Sequence, residues 1–520
     1  MQTGDCKMQQ YLYRVLLLIA VVFSLTVGFA SAAEKTLRVG AQWATRTMDP
    51  QVDGYLFTRL GVVEGLTAVD DKLNVLPNLA TEWKVSDDKL TWTFTLRDGV
   101  SFHDGTLLTA PVYLKALQRL MEKGALLKNV PLETIEAPDD ATLIFRTSKP
   151  FSPLAAYLAR GEAGALAPAS FDAAGEVIKP LGTGVFMVDS WELRENVVVV
   201  PHPSHWGTVK PKVDRVVYRV VPEALTRLAM LRGGELDVAM IMPADAARSL
   251  ANSKDFTIHA MPIGRCRMMS FNLTREPFSD PLARKALNLA LNRQEIVDAI
   301  LDGIGEPART LFPSQIMWAN AELDGFEHDP ATARELLAQA GWKEANKDGI
   351  LEKDGKPLRV RLVTYPERAE LPPMAEVIQQ QLAKVGMAAD IVSLQVNAAE
   401  QTRNAGDFDL YLMGRGLLFV PDPDDNLMLD YFSENTAKDG WGAFRYNNPR
   451  MDELLLAART TFDQGERKKI YDEVQIILEQ DMPMAYLNYY VNIDLVSNRV
   501  SGYRMHTIEH TLGLEHVGLR

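Results

Sequence analysis

The chain has 520 residues, a formal net charge of −13 and a hydrophobic fraction of 47%. Because one hydrophobic core rarely serves more than about 250–300 residues, this length predicts two or three domains. The composition is that of a globular protein. The negative charge argues against nucleic acid as a partner, since nucleic-acid binding needs a basic surface.

The N-terminus carries the pattern of a secretory signal. Arg14 precedes an apolar run over residues 15–29, and Ala30-Ser31-Ala32 then gives the small residues that a signal peptidase recognises. The run is shorter than the roughly 20 residues that a membrane-spanning helix needs. We therefore expect a cleaved signal peptide over residues 1–32 and a periplasmic protein, with an uncleaved anchor as the alternative. Translation starts at Met1 or at Met8.

The first half of the mature chain predicts mixed α and β structure. Residues 36–42 alternate like a strand, and residues 89–105 predict a strand that ends in two Asp-Gly turns. Residues 110–124 have the pattern of an amphipathic helix closed by glycine. Residues 180–188 predict a glycine-rich turn that leads into another strand.

The second half alternates strands and helices, which predicts an α/β domain. It opens with a strand near Arg265, and Pro281 then begins a long helical pattern. A buried strand over residues 408–415 leads into RGLLFVPDPDDN, residues 415–426, which predicts a strand followed by an acidic, proline-stiffened turn. Residues 483–497 form a long apolar strand that is expected to return to the first half.

The sequence contains no motif that points to catalysis. G-x-S-x-G, H-E-x-x-H, C-x-x-C, the P-loop and G-x-G-x-x-G are all missing from it. We therefore predict that the protein is not an enzyme and uses no cofactor. A secreted hydrolase is the alternative to a binding protein.

Histidines near the C-terminus are weak candidates for metal ligands. His506 and His510 are spaced i, i+4, which places both imidazoles on one face if the segment is helical, and His516 follows. A metal-delivery protein that uses these histidines is a further alternative. A solvated tail with accidental histidine spacing is the simpler interpretation, so no metal site is predicted.

Several segments carry motifs of one family and together span nearly the whole mature chain. They are NLATEW with LTWTFTLRDGVSFHDGTLLTA, PLGTGVFMV, PHPSHWG, FNLTREPFSDPLARKALNLALNRQEIVDAIL, DPATARELLAQAGW and FRYNNPRMDELLLAAR. With these segments the sequence resembles the extracellular solute-binding proteins of ABC importers, in the class that handles peptides and nickel chelates. Val185 stands where that family usually has proline.

The resemblance implies a type II periplasmic binding protein clamshell with an extra N-terminal subdomain. Lobe I would comprise residues 33–264 plus 482–520, and lobe II residues 265–481. Two crossing strands, near residues 265–273 and 484–495, would join the lobes. A small solute, either a peptide or a metal chelate, would be held in the cleft by hinge closure and passed to the transmembrane subunits of an ABC permease. A monomer is the family expectation.

The resemblance also suggests the residues of the ligand site. Peptide-binding relatives carry an aspartate that pairs with the α-amino group of the peptide, and that position falls on Phe419 here. Arg415 ends the preceding strand, and in nickel-chelate relatives an arginine at this point meets ligand carboxylates. The sequence therefore favours an anionic small ligand over a free peptide N-terminus. A tether from Arg415 to Asp422 or Asp424 is the alternative.

Five further residues complete the set of predicted ligand contacts. For each of them, ordinary packing is the alternative. They are Arg160, Tyr55, Arg59, Trp318 and Trp441.

Overall fold

The computed structural model describes most of the chain. The described ranges are residues 34–53, 55–124, 126–344, 349–437 and 442–520. The predicted signal peptide and Trp441 lie outside these residues. Within them, the search for membrane spans finds no helix with the length and apolar character to cross a bilayer.

The strands and helices follow the predicted alternation. The strands run over Thr36–Ala41 (β1), Thr67–Val69 (β2), Val75–Pro77 (β3), Ala80–Val85 (β4), Thr91–Leu96 (β5), Leu132–Glu136 (β6), Thr142–Thr147 (β7), Phe186–Glu192 (β8), Asn196–Pro201 (β9), Arg215–Val220 (β10), Val238–Ala239 (β11), Phe256–Phe271 (β12), Glu306–Pro307 (β13), Lys343–Glu344 (β14), Leu351–Lys353 (β15), Lys356–Pro357 (β16), Arg359–Thr364 (β17), Ala388–Ser393 (β18), Leu410–Gly416 (β19), Met484–Ser497 (β20), Val500–Ser501 (β21) and Gly518–Leu519 (β22). The α-helices run over Pro50–Asp53 (α1), Tyr55–Arg59 (α2), Ala110–Lys123 (α3), Leu154–Tyr157 (α4), Ala224–Arg232 (α5), Ala244–Arg248 (α6), Pro281–Ala290 (α7), Arg293–Leu301 (α8), Pro330–Gln339 (α9), Leu371–Lys384 (α10), Val396–Asn404 (α11), Pro423–Tyr431 (α12), Ser433–Thr436 (α13), Pro449–Thr460 (α14) and Gln464–Asp481 (α15).

One large sheet connects the two lobes. Its strand order is β18-β17-β19-β12-β20-β11-β1-β10-β9-β8, with β13 added against β20. The two crossing strands of the predicted clamshell are β12 and β20, which pair antiparallel over their length. β12 already begins at Phe256, earlier than its motif indicated. β20 is buried along almost its whole length, which explains why its sequence is a continuous apolar run rather than an alternating one.

The buried side chains form separate cores on either side of these strands. One cluster draws nearly all of its members from residues 266–489. Two others combine residues 37–250 with residues 493–517, so the C-terminal tail packs against the first half of the chain. The exact boundaries of the lobes stay a prediction.

The N-terminal subdomain is a four-stranded antiparallel sheet of order β4-β5-β7-β6 with α3 packed beside it. The apolar positions of α3 recur at helical spacing, which buries Tyr113, Leu117 and Leu120 in the core of this subdomain. Val420, which lies 300 residues after Leu120 in the chain, is part of the same core and is 2% exposed. The segment after β19 is thereby anchored in the subdomain.

Two helices differ from the prediction at their ends. The long pattern that begins at Pro281 is divided into α7 and α8, because the side chain of Asn292 accepts a hydrogen bond from the Glu295 amide and caps a new helix. The acidic turn in residues 415–426 is the start of α12. Asp422 accepts a hydrogen bond from the Asp424 amide, and Pro423 occupies the first helical position, where proline is favourable.

Candidate ligand-binding cleft

The cleft lies where parallel strands of both lobes end. In lobe I, β1 is parallel to β10 and β11, and in lobe II β17 is parallel to β18 and β19. Residues that directly follow these strands, including Trp43, Pro222, Ile241, Tyr365 and Val396, line one common cavity. Open α/β sheets bind ligands outside the carboxyl ends of their strands, so this is the expected place for a site.

This larger cavity has a volume of about 940 Å³. Its wall includes residues of lobe I, residues of lobe II and the middle of the crossing strands, among them Arg265 and Tyr490. Arg415 and Phe419 also line it. The volume falls in the range of roughly 300–1,000 Å³ that is typical of small-molecule sites.

A smaller cavity of about 340 Å³ adjoins the larger one. Tyr55, Arg59, Arg160 and Phe419, all predicted from the sequence, line it together with His510. The two cavities share Trp43, Arg265, Gly416, Phe419 and Glu509. The structure therefore brings five predicted ligand contacts, counting Arg415, to a single cleft.

Glu509 is the central acid of the smaller cavity, and its charge is already neutralised. Its carboxylate lies 2.7 Å from the Arg265 guanidinium and 3.5 Å from that of Arg59, and Asn492 donates a hydrogen bond to it at 3.0 Å. Although burial acts to raise it, the pKa of Glu509 is lowered by these two arginines. Glu509 thus serves to hold Arg59 and Arg265 in place rather than to receive a ligand ammonium group.

Arg415 is paired with a carboxylate within its own lobe. Its Nε and one terminal nitrogen donate to the two oxygens of Asp430 at 3.1 and 2.6 Å, and both side chains are largely buried. Asp422 and Asp424, the partners considered from the sequence, instead bind Arg467 and Arg459. The alternative that Arg415 is tethered to Asp422 or Asp424 is therefore wrong about the partner, because Arg415 pairs with Asp430 at the far end of α12.

Phe419 projects into the cleft from an anchored backbone. Its side chain is 46% exposed, although Leu418 and Val420 on either side are buried. Its carbonyl oxygen accepts a hydrogen bond from the Arg160 guanidinium across the cleft. The ring lies over Gly416, where a Cβ atom would come within 2.5 Å of it.

A cluster of four side chains on the wall of the larger cavity was not found by sequence reasoning. We call it the Arg368 cluster; it consists of Arg267, Arg368, Glu370 and Tyr490. Arg368 donates to the Tyr490 hydroxyl at 3.2 Å, and that hydroxyl donates to Glu370 at 3.0 Å. Arg267 donates to the same carboxylate oxygen of Glu370 at 3.1 Å and stacks 3.6 Å from the centre of the Tyr490 ring.

The Arg368 cluster holds two arginines and one glutamate, so it carries one net positive charge. Arg267 forms an ion pair with Glu370. Burial acts to raise the pKa of Glu370, but the pKa is lowered, and Arg267 is the main cause of the lowering. Gly414 makes the arrangement possible, because a Cβ atom there would lie 2.3 Å from the Tyr490 oxygen and 2.9 Å from Nε of Arg368. Gly414 is, like Gly416, a glycine at the end of β19 that signals close packing there.

Trp318 does not lie at the cleft, contrary to the prediction. It is 3% exposed, its ring makes an edge contact with Tyr471 at 5.3 Å, and the Arg467 guanidinium lies 5.4 Å from its centre. It packs in the core of lobe II. Trp441 falls outside the described residues.

The C-terminal histidines do not assemble into a metal site. The segment from His506 to His510 is not helical, and the two ring centres are 6.0 Å apart. His516 lies in a short 3₁₀ helix, 3.5 Å from Glu515. Across the described residues, no group of three or more histidine, cysteine or acidic side chains is arranged to hold a metal ion. Burial lowers the pKa of His510 to about 3, so its ring is neutral in the smaller cavity.

Comparison with known proteins agrees with this geometry. Residues 74–438 match the family model described as bacterial extracellular solute-binding proteins, family 5 middle. The chain belongs to this family. Its members are the solute-binding components of ABC importers, which act outside the cytoplasmic membrane, and the two-lobed fold and binding function predicted from the sequence are thereby confirmed.

Individual family 5 relatives cover nearly the whole chain. The glutathione-binding protein GsiB from Salmonella typhi is 29% identical over 452 residues, which is 85% of each chain. The crystal structure of a nickel ABC transporter protein from Bacillus halodurans has a TM-score of 0.79 at 25% identity and covers 93% of this chain and 100% of the other. The structure of AgaA from A. tumefacien R10 in complex with agropinic acid has a TM-score of 0.75 at 26% identity and covers 93% and 99%.

Proposed function

We propose that this family 5 protein captures a small solute that carries at least one carboxylate group, encloses it between the lobes and delivers it unchanged to an ABC permease. The larger cavity holds the solute, and the Arg368 cluster receives a carboxylate. We further propose that residues 1–32 are removed on export, that the lobes divide at residues 264/265 and 481/482, and that the protein is a monomer.

The observation that carries this proposal is the charge state of the cleft. Each carboxylate that lines either cavity already accepts a hydrogen bond or forms an ion pair within the protein; they are Asp53, Glu162, Asp245, Asp302, Glu367, Glu370 and Glu509. Arg368 differs from the other arginines of the described cavity walls, because its hydrogen-bond partners are phenols rather than carboxylates or carbonyls. Arg368 is half-buried, and although Glu370 lies near enough to attract it, the groups that accept its hydrogen bonds are neutral. Such a cation favours an anionic ligand.

Phe419 supports the same ligand class. An apolar ring cannot balance the ammonium group of a peptide N-terminus, and the nearby acids are engaged as described. Two of the relatives are consistent with an anionic solute, since glutathione and agropinic acid, named for GsiB and AgaA, both carry carboxylates. The guanidinium of Arg415 already donates two hydrogen bonds to Asp430. We therefore propose that Arg415 positions the segment that carries Phe419 rather than binding the solute itself.

Thermal unfolding in the presence of matched ligands tests the proposed function. We expect that glutathione, agropinic acid or a carboxylate chelate of nickel raises the melting temperature, since a ligand at a hundred times its Kd stabilises a protein by about 2.7 kcal/mol. The carboxyl ester of the same compound should change the melting temperature little, because esterification removes the negative charge that would pair with Arg368. Equal stabilisation by acid and ester, or stabilisation only by peptides with blocked C-termini, would contradict the proposal.

A further inference from the structure

Phe419 is held in an unusual way for an exposed aromatic residue. The Leu417 amide donates to the Gly264 carbonyl at 2.8 Å, so the backbone before Phe419 is fixed to a crossing strand. Val420, directly after it, is buried in the core of the N-terminal subdomain. The backbone is therefore fixed on both sides while the ring, at 46% exposure, stands in the cleft.

The ring also lies at the junction of the two cavities. Phe419 and Gly416 belong to the walls of both. Because Gly416 has no Cβ, the Phe419 ring lies closely against the backbone there, which a larger residue would prevent. Gly416 does not have a positive φ, so the close approach, and not a special backbone conformation, is what requires glycine.

We propose that the Phe419 ring is a partition that confines the solute to the larger cavity and so sets an upper limit on its length. This inference rests on the proposed function. A compact solute places its carboxylate on the Arg368 cluster and packs its other end against the ring. A longer chain that continues from the larger cavity toward the smaller one would meet the ring. The ligand class is thereby narrowed to compact anionic solutes that fit within the larger cavity of about 940 Å³.

The charges beyond the partition support this limit. In the smaller cavity Arg59 and Arg265 are paired with Glu509, and Arg160 is paired with Glu162. A solute extended past Phe419 would therefore meet charged groups that are already satisfied. Entry would displace water from them without supplying new ion pairs, which is unfavourable.

The test compares Phe419→Ala with the unmodified protein across a length series. Isothermal titration calorimetry with N-acetylated acidic peptides of two to six residues, all with free C-terminal carboxylates, gives Kd against length. The unmodified protein should bind the short members and lose affinity as the length increases. In Phe419→Ala the longest peptides should gain about tenfold or more relative to the shortest, since one methylene group more or less in an apolar pocket already changes discrimination by roughly 10–200-fold.

Leu456→Ala is the matched control, since Leu456 is 47% exposed, belongs to the same lobe and lines neither cavity. Its length profile should follow the unmodified protein. If Phe419→Ala unfolds, Phe419→Leu gives the same comparison with a smaller gain. An unchanged length profile in folded Phe419 variants, with short anionic ligands still bound, overturns the partition alone. Failure of every acidic probe to bind the unmodified protein overturns the proposed function and the partition with it.

Discussion

Asp422→Asn is expected to lower the free energy of unfolding by about 3–5 kcal/mol, because removing one member of a buried ion pair leaves the other charge uncompensated. Asp422 and Arg467 form two hydrogen bonds at 2.7 and 2.9 Å, with 5% and 8% of their side chains exposed. Burial acts to lower the pKa of Arg467, and Asp422 raises it in the unmodified protein. The guanidinium stays charged in the variant because an arginine is not deprotonated in proteins. Asparagine retains the helix cap at α12, so the effect measures the ion pair.

Urea denaturation of Asp422→Asn and of the unmodified protein at neutral pH measures this difference in the free energy of unfolding. Glu473→Gln is the matched control, since it removes one carboxylate from an ion pair with Arg450 in which both side chains are about half exposed. Exposed pairs contribute little, so its unfolding curve should nearly coincide with that of the unmodified protein. A loss of less than about 1 kcal/mol in Asp422→Asn would show that water or a rearranged neighbour solvates Arg467.

Arg368→Gln is expected to weaken binding of a carboxylate ligand by roughly 30–100-fold, which corresponds to the 2–3 kcal/mol of a charge-assisted hydrogen bond. Glutamine retains hydrogen-bonding capacity toward the Tyr490 hydroxyl but loses the charge and the second donor of the guanidinium. Titration of whichever acidic compound gives the largest thermal shift measures the change in Kd. The ester of that compound should bind both proteins with similar, weak affinity.

Arg219→Gln serves as the control, because Arg219 is 44% exposed, pairs only distantly with Glu235 at 3.9 Å and lines neither cavity. Arg219→Gln removes one positive charge, as Arg368→Gln does. A loss of affinity in Arg368→Gln alone is therefore due to the position of Arg368 and not to the change in the net charge of the protein. A loss of affinity in Arg368→Gln that is equal for acid and ester would assign Arg368 to packing of the cavity wall rather than to carboxylate recognition.

The general architecture was predictable because it depends on patterns that are local in sequence. The apolar runs of β12 and β20, the amphipathic pattern of α3 and the capped start of α9 at Asp329 all correspond to elements in the structure. α12 was harder, because Asp-Pro-Asp is compatible with both a turn and a helix N-terminus. The helical conformation of Pro423–Tyr431 decides between the two, and Asp422 is its N-cap.

Residues of the site were predictable only where they lie within a single segment of recognisable sequence. Arg415 lies at the end of a recognisable strand and Phe419 follows it, and the resemblance to family 5 proteins placed both of them at the cleft. The Arg368 cluster combines the loop after β17 with residues on β12 and β20 more than 100 positions away, and no local pattern connects them. Arg415 pairs with Asp430 rather than with Asp422 because Asp430 lies at the far end of α12, which the local sequence did not predict to be a helix. Trp318 is buried against Tyr471 of α15, a contact between residues that are distant in the sequence.

The identity of the solute that occupies the cleft in the cell tests the central claim most directly. The protein is purified from its native cells without added ligand and denatured, and the released small molecules are analysed by mass spectrometry, with Arg368→Gln processed in parallel. We predict a compact solute with at least one carboxylate, recovered in near-equal amount to the unmodified protein and depleted in the variant. Recovery of a solute without a carboxylate, or recovery of the solute in equal amounts from both proteins, would contradict the account.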